Sequence, residues 1–283
     1  MSSASKPGRA AMAWWISLLW FCLLGYLALI GLTYLFQDSL VFQQRALDPA
    51  DQQRWQAYQV EFNREDGTRL HGWFRQSTAE GAPLLIYYGG NAEEISWNLE
   101  PLGRFNASLL LINYRGYGHS SGKPSEAALK EDALWLLDLI TTEYQIPLER
   151  TFVMGRSLGS GIAAYVAAER AVAASILVTP YDNFVALGQL HYPWLPVDWL
   201  AKHRFESDRL AAQIDSPVLS LLAGKDRIVP PERGRRLMSL WGGETEILEF
   251  ERADHIDITD QPGYWEAIGR FIDQHSPNRT SRH

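Results

Sequence analysis

Hydrophobic and polar positions divide the chain into two regimes. Residues 11–36 hold no charged side chain and form one apolar run, from Trp14 and Trp15 through Leu23, Leu24 and Ile30 to Tyr34, Leu35 and Phe36. As a helix that run spans about 39 Å, more than the ~30 Å hydrocarbon core of a bilayer. Downstream, residues 57–62 and 69–75 alternate apolar with polar and flank Asp66-Gly67, which predicts an antiparallel hairpin. Short, continuously apolar blocks follow at 83–88, 108–113, 151–154, 175–179, 217–223 and 245–250, the pattern of strands covered on both faces. Helical patterns at 92–102, 125–144, 157–169, 231–241 and 263–275 alternate with them. Strand-helix alternation predicts an α/β fold: an eight-stranded, mostly parallel sheet with an antiparallel N-terminal hairpin, preceded by one transmembrane helix.

One stretch breaks the alternation. Residues 182–216 include Tyr192-Pro193-Trp194-Leu195-Pro196-Val197-Asp198-Trp199, too proline-broken for one long helix. Either this is an irregular aromatic segment crossing the mouth of a site, with Tyr181, Tyr192, Trp194 and Trp199 lining an apolar pocket, or it is a surface turn with ordinary packing tryptophans. The chain then divides into a cytoplasmic tail (1–10), an anchor (11–36), a connector (37–56), a catalytic domain (57–275) and a loose tail (276–283).

Flanks decide how the apolar run is read. A cleaved signal peptide has a shorter apolar centre and small residues at its end, whereas this run ends in Thr33-Tyr34-Leu35-Phe36. An uncleaved membrane anchor is therefore expected, with Trp14, Trp15 and Tyr34 at the two interfaces. Lys6 and Arg9 precede it and Asp38 follows, so the N-terminus is expected in the cytoplasm and the catalytic domain on the outer, periplasmic or extracytoplasmic side. The whole chain carries a net charge of −7, an acidic excess that argues against a nucleic-acid partner. Cys22, the only cysteine, lies in the apolar run, so the remainder forms no disulfide. Oligomeric state leaves no mark in the sequence, and nothing in it calls for a cofactor or a metal.

Chemistry enters at Gly155-Arg156-Ser157-Leu158-Gly159, which follows the apolar block Phe152-Val153-Met154 and precedes a helical pattern. Glycines two places either side of a serine permit a strand-to-helix turn tight enough to hold its hydroxyl at the tip. Ligands of open α/β sheets sit beyond the carboxyl ends of the strands. Asp226 follows the seventh predicted strand and His255 the eighth, in the order Ser, Asp, His. Ser157 is the expected nucleophile, His255 its base and Asp226 the acid that orients the imidazole. Asp182 is the rival acid; Asp254 and Asp257 flank the base but are expected to point elsewhere. Backbone N–H groups of Leu158 and Asn91, the latter in Tyr88-Gly89-Gly90-Asn91-Ala92, are the expected oxyanion donors.

With the elbow, the Gly90-Asn91-Ala92 loop, the run from Asn113-Tyr114-Arg115-Gly116-Tyr117-Gly118 to Glu126 and Gly224-Lys225-Asp226 with Ile228-Val229-Pro230, the chain resembles the α/β-hydrolase superfamily. More closely it resembles the membrane-anchored BEM46-like serine hydrolases, related to depalmitoylating and monoacylglycerol- or lysophospholipid-cleaving members. The resemblance implies the α/β-hydrolase fold and a structural job for the Tyr114 loop at the active-site side of the sheet. Two positions depart from the family pattern: Gly89 stands where histidine is common, and Asn113 where aspartate commonly precedes Tyr-Arg-Gly.

The expected function is a serine hydrolase of the carboxylesterase, lipase or thioesterase type, cleaving an ester or thioester through an acyl-enzyme. An acyl or lipid-like substrate fits a site held at a membrane. The alternatives are a peptidase on the same fold and a non-catalytic membrane-anchored scaffold.

Overall fold

The computed structural model describes residues 9–277. Most of the expected cytoplasmic tail, with Lys6, and the end of the C-terminal tail, 278–283, lie outside the described residues.

Helix α1 (Arg9–Val41) does not stop at Phe36 but runs on through the first part of the expected connector. Gln37 explains the extension, because its side chain is tied to Tyr34 O, Leu200 O and the Lys202 N–H, which holds the last turns helical against the domain. A short helix α2 (Pro49–Arg54) follows, capped by the Asp48 carboxylate, so the connector is not extended chain. Among the described residues α1 is the helix long and apolar enough to cross a membrane, and its apolar span lies unburied outside the domain.

Strands β1 (Gln59–Asn63) and β2 (Arg69–Arg75) pair antiparallel across a turn whose Gly67 takes φ 81°, a conformation open to glycine. The chain continues through β3 (Leu84–Tyr88), α3 (Leu99–Leu102), β4 (Ser108–Ile112), α4 (Glu126–Glu143), β5 (Thr151–Arg156), α5 (Leu158–Glu169) and β6 (Ala174–Val178). It ends with α6 (Phe184–His191), α7 (Val197–Leu200), β7 (Val218–Ala223), α8 (Pro231–Leu240), β8 (Thr245–Phe250) and α9 (Tyr264–His275). The eight strands form one sheet in the order β1-β2-β4-β3-β5-β6-β7-β8, antiparallel only at β1-β2 and β2-β4.

Period-two alternation sends β3 side chains to two cores. Leu84, Ile86 and Tyr88 join the face carrying α4 and α5, while Leu85 and Tyr87 join the face carrying α9. Covering both faces explains why the parallel strands read as unbroken apolar blocks.

The helix expected at 92–102 is the one predicted element that fails over most of its length. Ala92 takes φ 56°, a 3-10 turn covers Ile95–Asn98, and only α3 is α-helical. Local carboxylates take the backbone instead: Glu93 turns back to the Gly90 N–H and Glu94 caps Ser96.

Candidate active site

Strand β5 ends at Arg156, and Ser157 turns the chain into α5 with φ 50° and ψ −114°. A non-glycine residue there is strained, and the packing leaves the flanking residues no other path. A Cβ at Gly155 would stand 2.2 Å from Gly159 O, and one at Gly159 2.0 Å from Tyr88 O. Both glycines are thus required by close backbone approach. The Ser157 N–H donates to Val178 O on neighbouring β6, which pins the turn to the sheet.

His255 reaches the serine from the loop after β8, and its Nε2 lies 3.0 Å from Ser157 Oγ. Its Nδ1 lies 2.6 Å from Asp226 Oδ2, on the loop after β7. A carboxylate only accepts, so Nδ1 carries the proton and Nε2 is left to accept from the serine hydroxyl. The other Asp226 oxygen accepts from the Ile228 and Val229 N–H groups at 2.8 and 2.7 Å, which fixes the carboxylate. Asp226 and His255 are buried and Ser157 is partly open. This relay can move a proton from a serine oxygen to an imidazole while a buried carboxylate stabilises the resulting imidazolium. The rival Asp182 is engaged elsewhere, between Arg233 and Arg236, and Asp254 caps the Ile256 and Asp257 N–H groups.

The loop after β3 comes up beside the serine: a Cβ on Gly90 would lie 3.8 Å from Ser157 Cβ. At Gly89 a Cβ would fall 2.4 Å from Ile95 Cγ2, so Ile95 fills the space that a larger residue there would need. Asn91 has a task that the sequence reading did not assign to it. Its Nδ2 donates to Val41 O, and its Oδ1 accepts from the Gln43 N–H and the Tyr117 hydroxyl. The side chain thus joins the end of α1 to the Tyr114 loop, which agrees with the structural job expected of that loop. Tyr114 supports the same turn by donating to Gly89 O at 2.9 Å.

Two further residues escaped sequence reasoning. Glu93 accepts from the Tyr87 hydroxyl, Asn98 Nδ2 and the Gly90 N–H, and Arg156 stands 3.5 Å from it. Arg156 also donates to His255 O at 3.0 Å. One ion pair therefore spans from the loop beside the serine to the backbone of the histidine. Burial works against the Arg156 charge, but Glu93 together with Tyr87 and Tyr264 outweighs it and raises the pKa. Burial first, and then Glu93, push the Tyr87 hydroxyl well above its ordinary value, so it stays a donor. Arg156 occupies a free position of the G-x-S-x-G pattern, so the pattern carried no signal for it.

No family model matches the chain. An uncharacterised protein of Mycobacterium tuberculosis is 32% identical over 214 residues, 74% of this chain and 76% of its own. The alpha/beta hydrolase domain-containing protein WAV2 of Arabidopsis thaliana is 26% identical, covering 76% and 78%. Protein bem46 of Schizosaccharomyces pombe is 26% identical over 270 residues, covering 88% and 90%. The chain belongs to the BEM46-like α/β-hydrolases. Among solved structures, the esterase Pf2001 of Pyrococcus furiosus superposes on this BEM46-like chain with a TM-score of 0.64 at 16% identity, covering 83% of this chain and 99% of that one. An acetyl xylan esterase from Paenibacillus gives 0.63 at 18% identity, covering 84% and 98%. These likenesses establish the fold.

Of the four aromatics expected to line a pocket, one is core and three are exposed on the surface of this BEM46-like chain. Tyr181 is core, its hydroxyl donating to Leu158 O at 3.3 Å beneath the start of α5. Tyr192 and Trp194 are exposed and pack edge-to-face on each other, and Trp199 is 89% exposed. Prolines 193 and 196 turn the segment outward, and Tyr26 of α1 donates to Trp194 O at 2.7 Å. Of the two sequence readings, the surface one describes Tyr192, Trp194 and Trp199.

Proposed function

We propose that this chain is a membrane-anchored serine hydrolase that cleaves a carboxylic ester or thioester through Ser157, His255 and Asp226. The observation that carries the reading is the hydrogen-bonded relay from Ser157 Oγ through His255 to Asp226 at a strained strand-to-helix turn. Ser157 Oγ attacks the carbonyl carbon as His255 Nε2 takes its proton. The carbonyl oxygen becomes an oxyanion facing the Leu158 and Asn91 N–H groups. Collapse expels an alcohol or thiol, which receives the proton from His255, and leaves an acyl group on Ser157. Water, deprotonated by the same imidazole, then attacks the acyl-enzyme; the Oγ–acyl bond breaks, the acyl group leaves as a carboxylic acid, and His255 returns the proton to Ser157 Oγ.

The relay favours an enzyme over the scaffold alternative, because a scaffold has no need of a strained serine aligned on a histidine and a buried carboxylate. The unbroken passage of α1 into the domain, fastened by Gln37 and Tyr26, favours a retained anchor over a cleaved signal peptide. Lys6 and Arg9 support an N-terminus in the cytoplasm and a catalytic domain on the opposite side. An acyl or lipid-like substrate suits that location.

A fluorophosphonate probe tests the chemistry. It is expected to label the full-length chain in membranes and to leave Ser157→Ala unlabelled; equal labelling of both disproves the assignment. Intact-mass analysis of the membrane fraction tests the anchor, which requires residues 11–36 in the mature protein.

A further inference from the structure

Exposed aromatics on a soluble domain are unremarkable singly, but here their height relative to α1 carries information. Trp14 and Tyr34 are separated along α1 by about 30 Å, one hydrocarbon thickness. With the indoles at one interface, Tyr34 marks the other, where α1 leaves the lipid. Leu200 and Lys202 are bonded to Gln37, just beyond that level, and Lys202 Nζ lies 4.6 Å from the Tyr34 ring centroid. Trp194, however, is bonded to Tyr26, about 12 Å back along the axis from Tyr34 towards the bilayer centre. The chain between Trp194 and Lys202 therefore climbs alongside α1 into the lipid layer.

From this geometry we propose that the segment from Tyr192 to Trp199 is a second membrane element, inserted beside α1 in the leaflet from which the helix leaves. The partner is the bilayer itself. The proposal rests on the anchor reading given above.

The composition of the segment agrees with its position. Tyr192, Trp194 and Trp199 project from it, and two prolines remove backbone donors that lipid would leave unpaired. The Trp194 carbonyl, which also needs a partner in lipid, has the Tyr26 hydroxyl. Its one acidic group, Asp198, is paired with Arg204 at 2.6 Å, and that pair together with Lys202 suits the headgroup layer. Interfacial segments commonly bury to ~5–10 Å, a depth compatible with Trp194 at the Tyr26 level once side-chain reach and helix tilt are allowed for.

The segment also has a link to the site. His191, at its start, donates from Nε2 to Ile228 O at 2.8 Å, and Ile228 is bonded to Asp226. Ile228 and Ile256, next to the acid and base loops, are exposed apolar side chains. Insertion of residues 192–199 brings this rim to the lipid surface, so an acyl ester can enter from the leaflet without crossing water.

Site-directed spin labelling of the full chain in phosphatidylcholine vesicles tests the proposal. Cys22→Ala removes the only cysteine, and nitroxides are then placed singly at Leu24→Cys, Trp194→Cys, Trp199→Cys and Ile247→Cys. The last three replace exposed side chains, which leaves the core intact. Collision with oxygen is expected to exceed collision with a water-soluble nickel chelate several-fold at 24, 194 and 199, with the ratio inverted at 247. Lipid-like values at 24 with water-like values at 194 and 199 overturn the insertion while leaving the anchor standing, and free that face for a protein partner. Water-like values at 24 overturn both.

Discussion

The turn at Ser157 and the aromatic segment 192–199 are built by opposite means. At the turn every atom is constrained: two glycines sit where no Cβ fits, a backbone bond pins Ser157 to β6, and both relay partners are buried. In the segment Tyr192, Trp194 and Trp199 point outward, while Leu195 is buried and polar bonds from Tyr26, Gln189 and Arg204 hold the backbone and Asp198. Packing therefore suffices to hold the first in a strained shape, whereas the exposed aromatics of the second fit the proposed lipid surroundings. On the two proposals above, the contrast is between a place that makes a reaction and a place that chooses where the reaction happens.

Substitutions that strike the two regions separately should keep the effects apart. Ser157→Ala is expected to lower kcat by about 10⁴–10⁶-fold, read on a p-nitrophenyl ester, with the fold unchanged by circular dichroism. Gly159→Ala forces a methyl group onto Tyr88 O, and the displaced serine should lose about 10²–10³-fold in kcat with a clear fall in Tm. Arg156→Met uncouples the Glu93 loop from His255 O. Its kcat should fall by about 10²-fold with KM little altered, because the residue positions other groups and does not meet substrate. Against these, Trp194→Ala with Trp199→Ala should raise KM for a long-chain ester presented in vesicles by about tenfold, the loss of ~1.5 kcal/mol of apolar burial. An equal increase on a short soluble ester would place those indoles back at the substrate and dissolve the contrast.

The smallest expected effect lies outside both regions. His71 is buried on β2, and burial, then the neighbouring His119 and Arg69, hold its pKa below 6.5, with Glu61 opposing. The unfolded chain binds that proton as pH falls through about 6.5 while the folded chain resists, so stability is full above that value and declines below it. His71→Gln should flatten the slope of Tm against pH between about 6.5 and 5, measured by thermal melts across that window.

Legibility in the sequence followed the same division. The eight strand blocks along the chain, and the loops that carry Ser157, Asp226 and His255, are readable because main-chain geometry dictates residue type: glycine where backbones touch, apolar blocks where both faces are covered. The 92–102 helix is not formed over most of its length, although its residues are acceptable in one, because the Glu93 carboxylate returns to Gly90 and Glu94 caps Ser96, which redirects the chain. Arg156 and Glu93 were missed because their roles depend on which distant loops meet. The aromatic segment was noticed, but a hydropathy pattern does not say whether an indole faces a substrate or a solvent. Asn91 was chosen for its backbone, while its side chain makes the more extensive set of contacts.

The continuity of α1 with the domain has a mechanical consequence. A flexible linker would let the catalytic unit sweep a hemisphere and sample cargo at many heights above the bilayer. Here Tyr26, Gln37 and Asp38 are bonded to residues between Trp194 and His203, so in the proposed anchored state the helix is a mast and the domain a fixture on it. Rotation about the mast remains free and tilting is coupled to the whole body. On the proposed anchor, such a body patrols a plane, and its encounter rate with a substrate in the same bilayer is set by lateral diffusion in two dimensions.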